Sequence, residues 1–183
     1  GLTGGGSAEV TAESPYTVIE NAVYDGHIIF TASDNGTGDN LTVTGGFMVK
    51  SNESYVELRG GDNLTILAGA TVQADTEARL YGDYGNADLG LGSIISVAGT
   101  VLADRVIITG NADDDTILIS GTITATEWIE IHGMGGNDTI LITGTLTAPT
   151  IRIYGEDGED VITISIDECL LITGYVKVLV GSR

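Results

Sequence analysis

Five aspartates of this chain recur at steps of 22 or 23 residues, broken by one longer step of 53 from Asp62 to Asp115, each just ahead of an alternating apolar run. Asp39 precedes Leu41 and Val43, and Asp62 precedes Leu64 and Ile66. Asp115, Asp138 and Asp160 stand in the same way before Ile117/Ile119, Ile140/Ile142 and Ile162/Ile164. The step is 23 residues from Asp39 to Asp62 and again from Asp115 to Asp138. Carboxylates repeated at such a step are hard oxygen donors, and a calcium ion takes about six to eight oxygens at ~2.3–2.6 Å. With no cation between them, like charges at repeat spacing repel one another. More acids crowd the same turns, Asp113 and Asp157 among them, and Asp83 and Asp88 lie in a longer turn, Asp83-Tyr-Gly-Asn-Ala-Asp88-Leu-Gly-Leu-Gly92. That longer turn reads either as one extra cation site or as a plain surface loop. Asn-Asp and Gly-Asp are also good turn formers in their own right.

Two copies of the turn are explicit: Gly133-Met-Gly-Gly-Asn-Asp138-Thr-Ile140 and Gly155-Glu-Asp-Gly-Glu-Asp160-Val-Ile162. Both resemble the calcium-binding nonapeptide of haemolysin-type (RTX) repeat proteins, G-G-x-G-x-D-x-U-x. Gly133, Gly136, Asp138 and Ile140 match it, as do Gly155, Gly158, Asp160 and Ile162; the second glycine is missing in both. In the copy Gly110-Asn-Ala-Asp-Asp-Asp115 the fourth position is Asp113. Glycines in such turns permit positive φ and aim carbonyls outward. The resemblance implies calcium as the bound ion, a large secreted or cell-surface bacterial protein, and folding that follows export into millimolar calcium. The expected ligands are Asp39, Asp62, Asp83, Asp88, Asp113, Asp115, Asp138, Asp157 and Asp160. One departure stands out: the family winds two nonapeptides into a coil of eighteen residues, whereas here one motif serves 22 to 23.

The elements that must carry these turns are short strands. Passages Asp115-Thr-Ile-Leu-Ile-Ser-Gly121-Thr-Ile-Thr-Ala125 and Asp138-Thr-Ile-Leu-Ile-Thr-Gly144-Thr-Leu-Thr-Ala148 are nearly identical. Glycines at 60, 82, 110, 133 and 155 close successive units at intervals of 22, 28, 23 and 22, so one unit carries an insertion of about six residues around Tyr84 to Gly92. Apolar residues alternate with period two within each unit, the strand signature. Besides the pairs after each aspartate, Val101, Ile123 and Leu146 form a second inward set. A third comprises Val56/Leu58, Ala78/Leu80, Val106/Ile108, Ile129/Ile131 and Ile151/Ile153. Three short strands per unit cannot close a sheet alone, but stacked at ~4.8 Å per coil each pairs with its equivalents above and below. The fold expected is an all-β parallel β-helix (β-solenoid) of about six or seven coils, right-handed by the chirality of parallel crossovers. Residues 1–7 read as a linker or a cloning remnant, and 8–183 as one solenoid domain excerpted from a longer repetitive protein, with residues 8 to 30 as a degenerate first coil.

Charge narrows the partners. Against 26 acidic residues stand only 7 basic ones, a net charge of −19, so nucleic acid and anionic membrane surfaces would be repelled. No apolar run reaches the ~18 residues of a membrane span. The single cysteine, Cys169, sits in an apolar run and reads as a small core hydrophobe. For catalysis the available groups are His27, His132, Arg105 and Arg152, with no nucleophile or phosphate motif beside them. Trp128 is expected on the solvent side, where it could meet a sugar or a neighbouring domain. The leading expectation is a calcium-stabilised, non-catalytic extracellular module such as an adhesin stalk or surface-layer-like spacer. Two alternatives stand beside it: a glycan-binding or polysaccharide-degrading β-helix contacting cell-surface glycans, and the interaction spine of a larger secreted toxin.

Overall fold

A computed structural model describes residues 1–13, 15–165 and 172–180; Cys169 lies outside them. Each coil contributes one strand to each of three columns, and every pairing between neighbouring strands is parallel. The first column stacks β3 (Tyr16–Val18), β6 (Leu41–Val43), β9 (Leu64–Ile66), β12 (Ile94–Val97), β14 (Thr116–Ile119), β16 (Thr139–Ile142) and β18 (Val161–Ile164). The second begins with β1 (Leu2–Gly4), β4 (Ala22–Tyr24), β7 (Met48–Ser51) and β10 (Thr71–Gln73). The third begins with β2 (Ala8–Ala12), β5 (Ile28–Ala32), β8 (Val56–Arg59) and β11 (Glu77–Tyr81). From there on, single bent strands serve both columns: β13 (Thr100–Asn111), β15 (Thr122–Gly135), β17 (Thr145–Asp157) and β19 (Ile172–Leu179). The chain is an all-β parallel solenoid of about seven turns, with no helix among the described residues.

In the interior, aliphatic stacks on aliphatic. Leu41, Leu64, Ile95, Ile117, Ile140 and Ile162 pair in register along the first column. The inward set expected from alternation lies in the buried core, except Ile162 and Ile164, which are half-buried against it; Val49 and Val72 add to the core in the second column. β-branched side chains suit this arrangement because each fits the pleat and meets its equivalent one coil away. Where the second column bends into the third, the register slips beside Ala103, Ala125 and Ala148, all buried and small enough for the backbone to turn over them. Pro149 follows the last of these, at a point where the ladder is interrupted and no N–H is needed.

Leu2–Gly4 falls in the segment read as a linker, yet it forms β1 and pairs in register with Ala22–Tyr24. Its glycine-rich composition hides the strand, since the pairing is supplied by the neighbouring coil and not by local propensity.

The outward face of the third column holds Arg59, Arg79, Arg105 and Arg152. Arg79 pairs with Glu57 at 3.3 Å and with Glu77, Arg105 with Glu77 at 3.0 Å, and Arg152 with Glu130 at 2.6 Å. His132 stacks on Tyr154 with ring centres 4.9 Å apart and contacts Glu156 at 2.7 Å. His27 stacks on Tyr55 and contacts Glu9 at 2.7 Å and Ser7 at 3.1 Å. The groups considered for catalysis are therefore engaged with neighbours on adjacent strands or coils. Trp128, expected to face solvent, is half-buried between Arg105 and Thr150 in the same ladder.

Inward and outward positions on one strand should differ sharply in cost. Ile131→Ala, which opens a void at a fully buried site, is expected to lose about 2–5 kcal/mol of stability. Glu130→Ala, which removes a partly exposed ion pair, is expected to lose about 1 kcal/mol or less. Urea unfolding of both variants measures the contrast.

Candidate metal centre

The turns between the third column and the first form one corner of the solenoid. Register places Asp39, Asp62, Ser93, Asp115, Asp138 and Asp160 at equivalent positions there, each just before a first-column strand. The side chains of Asp62, Asp115, Asp138 and Asp160 reach back one coil. The Asp39 N–H donates to Asp62 Oδ2 at 2.9 Å, the Asp115 N–H to Asp138 Oδ1 at 2.8 Å, and the Asp138 N–H to Asp160 Oδ1 at 2.9 Å. Ser93 donates its N–H and its hydroxyl to Asp115 Oδ1, at 2.5 and 2.7 Å. One oxygen of each of these carboxylates is thus a cap for a turn amide, a charge-assisted bond stronger than a neutral one.

The second oxygen has a different fate. Oδ2 of Asp115, Asp138 and Asp160 is buried without a hydrogen-bond partner. It lies against the glycine five residues earlier, Gly110, Gly133 or Gly155, where any Cβ would collide with the carboxylate. Ser93 Oγ stands against Gly82 in the same way. These glycines supply room; the left-handed backbone falls one residue later, at Asn111 (φ 88), Met134 (φ 84) and Glu156 (φ 72). Burial, opposed by the Asp115 N–H, raises the Asp138 carboxyl to about 7, and burial opposed by the Ser93 bonds raises Asp115 to about 6.

The inserted turn, residues 82–93, breaks the pattern. Asp83 (φ 46), Gly85 (φ 124), Asn86 (φ 48) and Gly90 (φ 85) take left-handed backbone. The turn reaches past the short turn at 60–63 to the long turn at 33–40, where the Ala87 N–H donates to Asp34 Oδ2. On its other side the Gly90 N–H donates to Asp113 Oδ2 at 2.8 Å. Carboxylate oxygens of Asp34, Asp83 and Asp88 come within 4.8 Å of one another. Asp83 is 1% exposed and neither of its oxygens has a partner. Asp34 Oδ1, Asn86 Oδ1 and Asp88 Oδ1 are likewise buried and unpaired. Burial, with Asp115, Asp113, Asp34 and Asp88 adding repulsion, raises the Asp83 carboxyl to about 7. Asp88 is raised by burial and by Asp62 and Asp34.

Of the residues singled out by sequence, Asp83 and Asp88 are brought into one cluster. Asp39, Asp62, Asp115, Asp138 and Asp160 form the hydrogen-bonded column; Asp113 anchors the inserted turn, and Asp157 is exposed at the end of β17. Asp34, Asn86 and Ser93 escape a reading by period. Asp34 is 53 positions from Ala87, which it contacts, and the insertion shifts Ser93 off the aspartate spacing. Acid types divide by place: the ion pairs of the described residues use glutamates, while the aspartates of the corner have no cationic partner among them. The donor set of the corner is oxygen alone, which fits a hard cation such as calcium and not a soft one.

Fold and corner together define a parallel β-solenoid with an acidic, oxygen-lined edge. No protein-family model matches the chain, and no curated protein or solved structure is significantly similar to it.

Two outcomes follow from the corner. Gly133→Ala forces a methyl group onto the buried Asp138 carboxylate and is expected to cost about 1–3 kcal/mol in denaturant unfolding. For pH, Asp83, Asp115 and Asp138 sit above the ordinary carboxyl value of 3.8 in the folded chain. Between that value and about 7 the folded state holds more protons than the unfolded one, so stability is lost as pH rises through about 6–7. In chelator, the melting temperature should be higher at about pH 5 than at about pH 8, and added calcium should lessen that fall.

Proposed function

We propose that this chain is a calcium-stabilised, non-catalytic structural repeat module of an extracellular protein, a stalk or spacer that extends or presents other parts. One observation carries the reading: every buried side-chain oxygen or nitrogen left without a partner among the described residues is an oxygen at this single corner. Unpaired buried carboxylates cost several kcal/mol unless neutralised, and the nearby arginines are held by glutamates on the third column. Hard cations supply the missing charge without a side-chain donor. Millimolar calcium, the extracellular condition, saturates even a weak site of this kind. The motif resemblance at Gly133–Ile140 and Gly155–Ile162 points the same way.

Mechanically the module is a rod. Its regular coils stack on their neighbours, and among the described residues the inserted turn alone reaches two coils away, so length grows with coil number. Ion binding at the edge favours the stacked state over the unstacked one by RT ln(1 + [L]/Kd), about 2.7 kcal/mol at a hundredfold excess over Kd.

Thermal unfolding followed by circular dichroism, first in excess EDTA and then in millimolar calcium, tests the proposal. A rise in melting temperature of several degrees that saturates with calcium is the expected result. Identical β-sheet melts in both conditions would sink it.

A further inference from the structure

We infer that one calcium ion is held by Asp34, Asp83 and Asp88, with the Asn86 side-chain oxygen beside them, and that it staples the inserted turn to a turn two coils away. The inference rests on the calcium reading above and adds a place, a stoichiometry and a task.

Geometry sets the place. Oxygens within 4.8 Å of one another can share a centre at calcium's bond length of ~2.3–2.6 Å. Asp83 is the decisive residue: its side chain is buried at 1% exposure, with both oxygens unpaired and one of them in the cluster. A carboxylate so enclosed calls for either a proton or a cation. Three carboxylates bring a formal charge of −3, which a divalent ion reduces to −1. Asn86 Oδ1, buried and unpaired in the same turn, is the neutral donor assigned beside them, and waters can complete the shell. The column of Asp115, Asp138 and Asp160 differs on the point that matters. One oxygen of each is spent on an amide or hydroxyl of the preceding coil, and the other is pressed against a glycine. Among the described residues, three carboxylate oxygens come within 4.8 Å of one another at Asp34, Asp83 and Asp88, so this ion is placed at the insertion.

Position sets the task. The turn at 33–40 leads into β6, and the turn at 82–93 leads into β12. The short turn at 60–63 lies between them, with Gly61 pressed against the Asp34 backbone. An ion at the cluster ties the two long turns across the short one. It also holds down a segment whose own apolar side chains, Leu89 and Leu91, are exposed and contribute nothing to the core. Few buried contacts hold such a segment, so it should open locally when the ion is removed.

The test is calcium titration by calorimetry on the full chain, compared with Asp34→Asn, Asp83→Asn and Asp138→Asn. Limited proteolysis of the inserted turn is run with and without calcium. Expected are one equivalent bound by the unaltered chain, a loss of tenfold or more in affinity for Asp34→Asn and Asp83→Asn, and cleavage near Leu89–Leu91 that calcium suppresses. Asp34→Asn keeps an oxygen for the Ala87 N–H and lies on an outer turn, so it answers even if Asp83→Asn does not fold. Calcium bound equally well by Asp34→Asn, or a loss carried by Asp138→Asn instead, would overturn this site while leaving a calcium-stabilised module standing. No calcium bound by the unaltered chain would overturn both.

Discussion

In-register stacking of parallel coils is the constraint on which everything else in this molecule depends. Each strand takes its backbone partners from the coil above and the coil below, so a residue spends its life beside its own equivalents. For aliphatic side chains this is favourable without adjustment, because isoleucine on isoleucine fills the pleat and buries the β-branch. For charges it is a problem that the chain solves in two ways. On the third column opposite signs meet on adjacent coils at two places, Glu57 beside Arg79 and Glu130 beside Arg152, with Ile107 between the two pairs. At the corner aspartates stack, and Asp62, Asp115, Asp138 and Asp160 each offset part of the repulsion by accepting from an amide of the preceding coil.

That second solution explains why glycine and aspartate travel together at a spacing of five. The carboxylate that reaches across to the previous coil also lies over the closing glycine of its own coil. A side chain on that glycine would push the carboxylate off the amide it caps. The strained backbone at Asn111, Met134 and Glu156 belongs to the same device, since the chain must swing sharply just beyond the glycine to bring the aspartate back. Half of each carboxylate is satisfied by this arrangement, and the other half remains buried and unpaired.

An insertion in a solenoid has nowhere to go but outward, because the coil length is set by its neighbours. The extra residues after Gly82 leave the stack, displace the aspartate that the column would otherwise carry, and put Ser93 in its place. They also bring Asp83 and Asp88 over the short turn to Asp34. Departure from the repeat is therefore what assembles separate carboxylates around one point. Regular coils, by contrast, stack their acids in a line.

Alternation and period were enough, from the sequence by itself, to determine the three strand columns, the inward residues and the corner on which the acids fall. The reason is that in a solenoid the tertiary contacts repeat at the sequence period, so Ile117 and Ile140 announce their contact by being 23 positions apart. The tertiary structure alone decided what breaks the period. Strand β1 draws its pairing from Ala22–Tyr24 and not from its own glycines. Ser93 takes an aspartate's role with a different side chain, and Asp34 meets a turn 53 positions away. Such contacts depend on how turns of unequal length fold over one another in space, and no spacing in the chain encodes that distance.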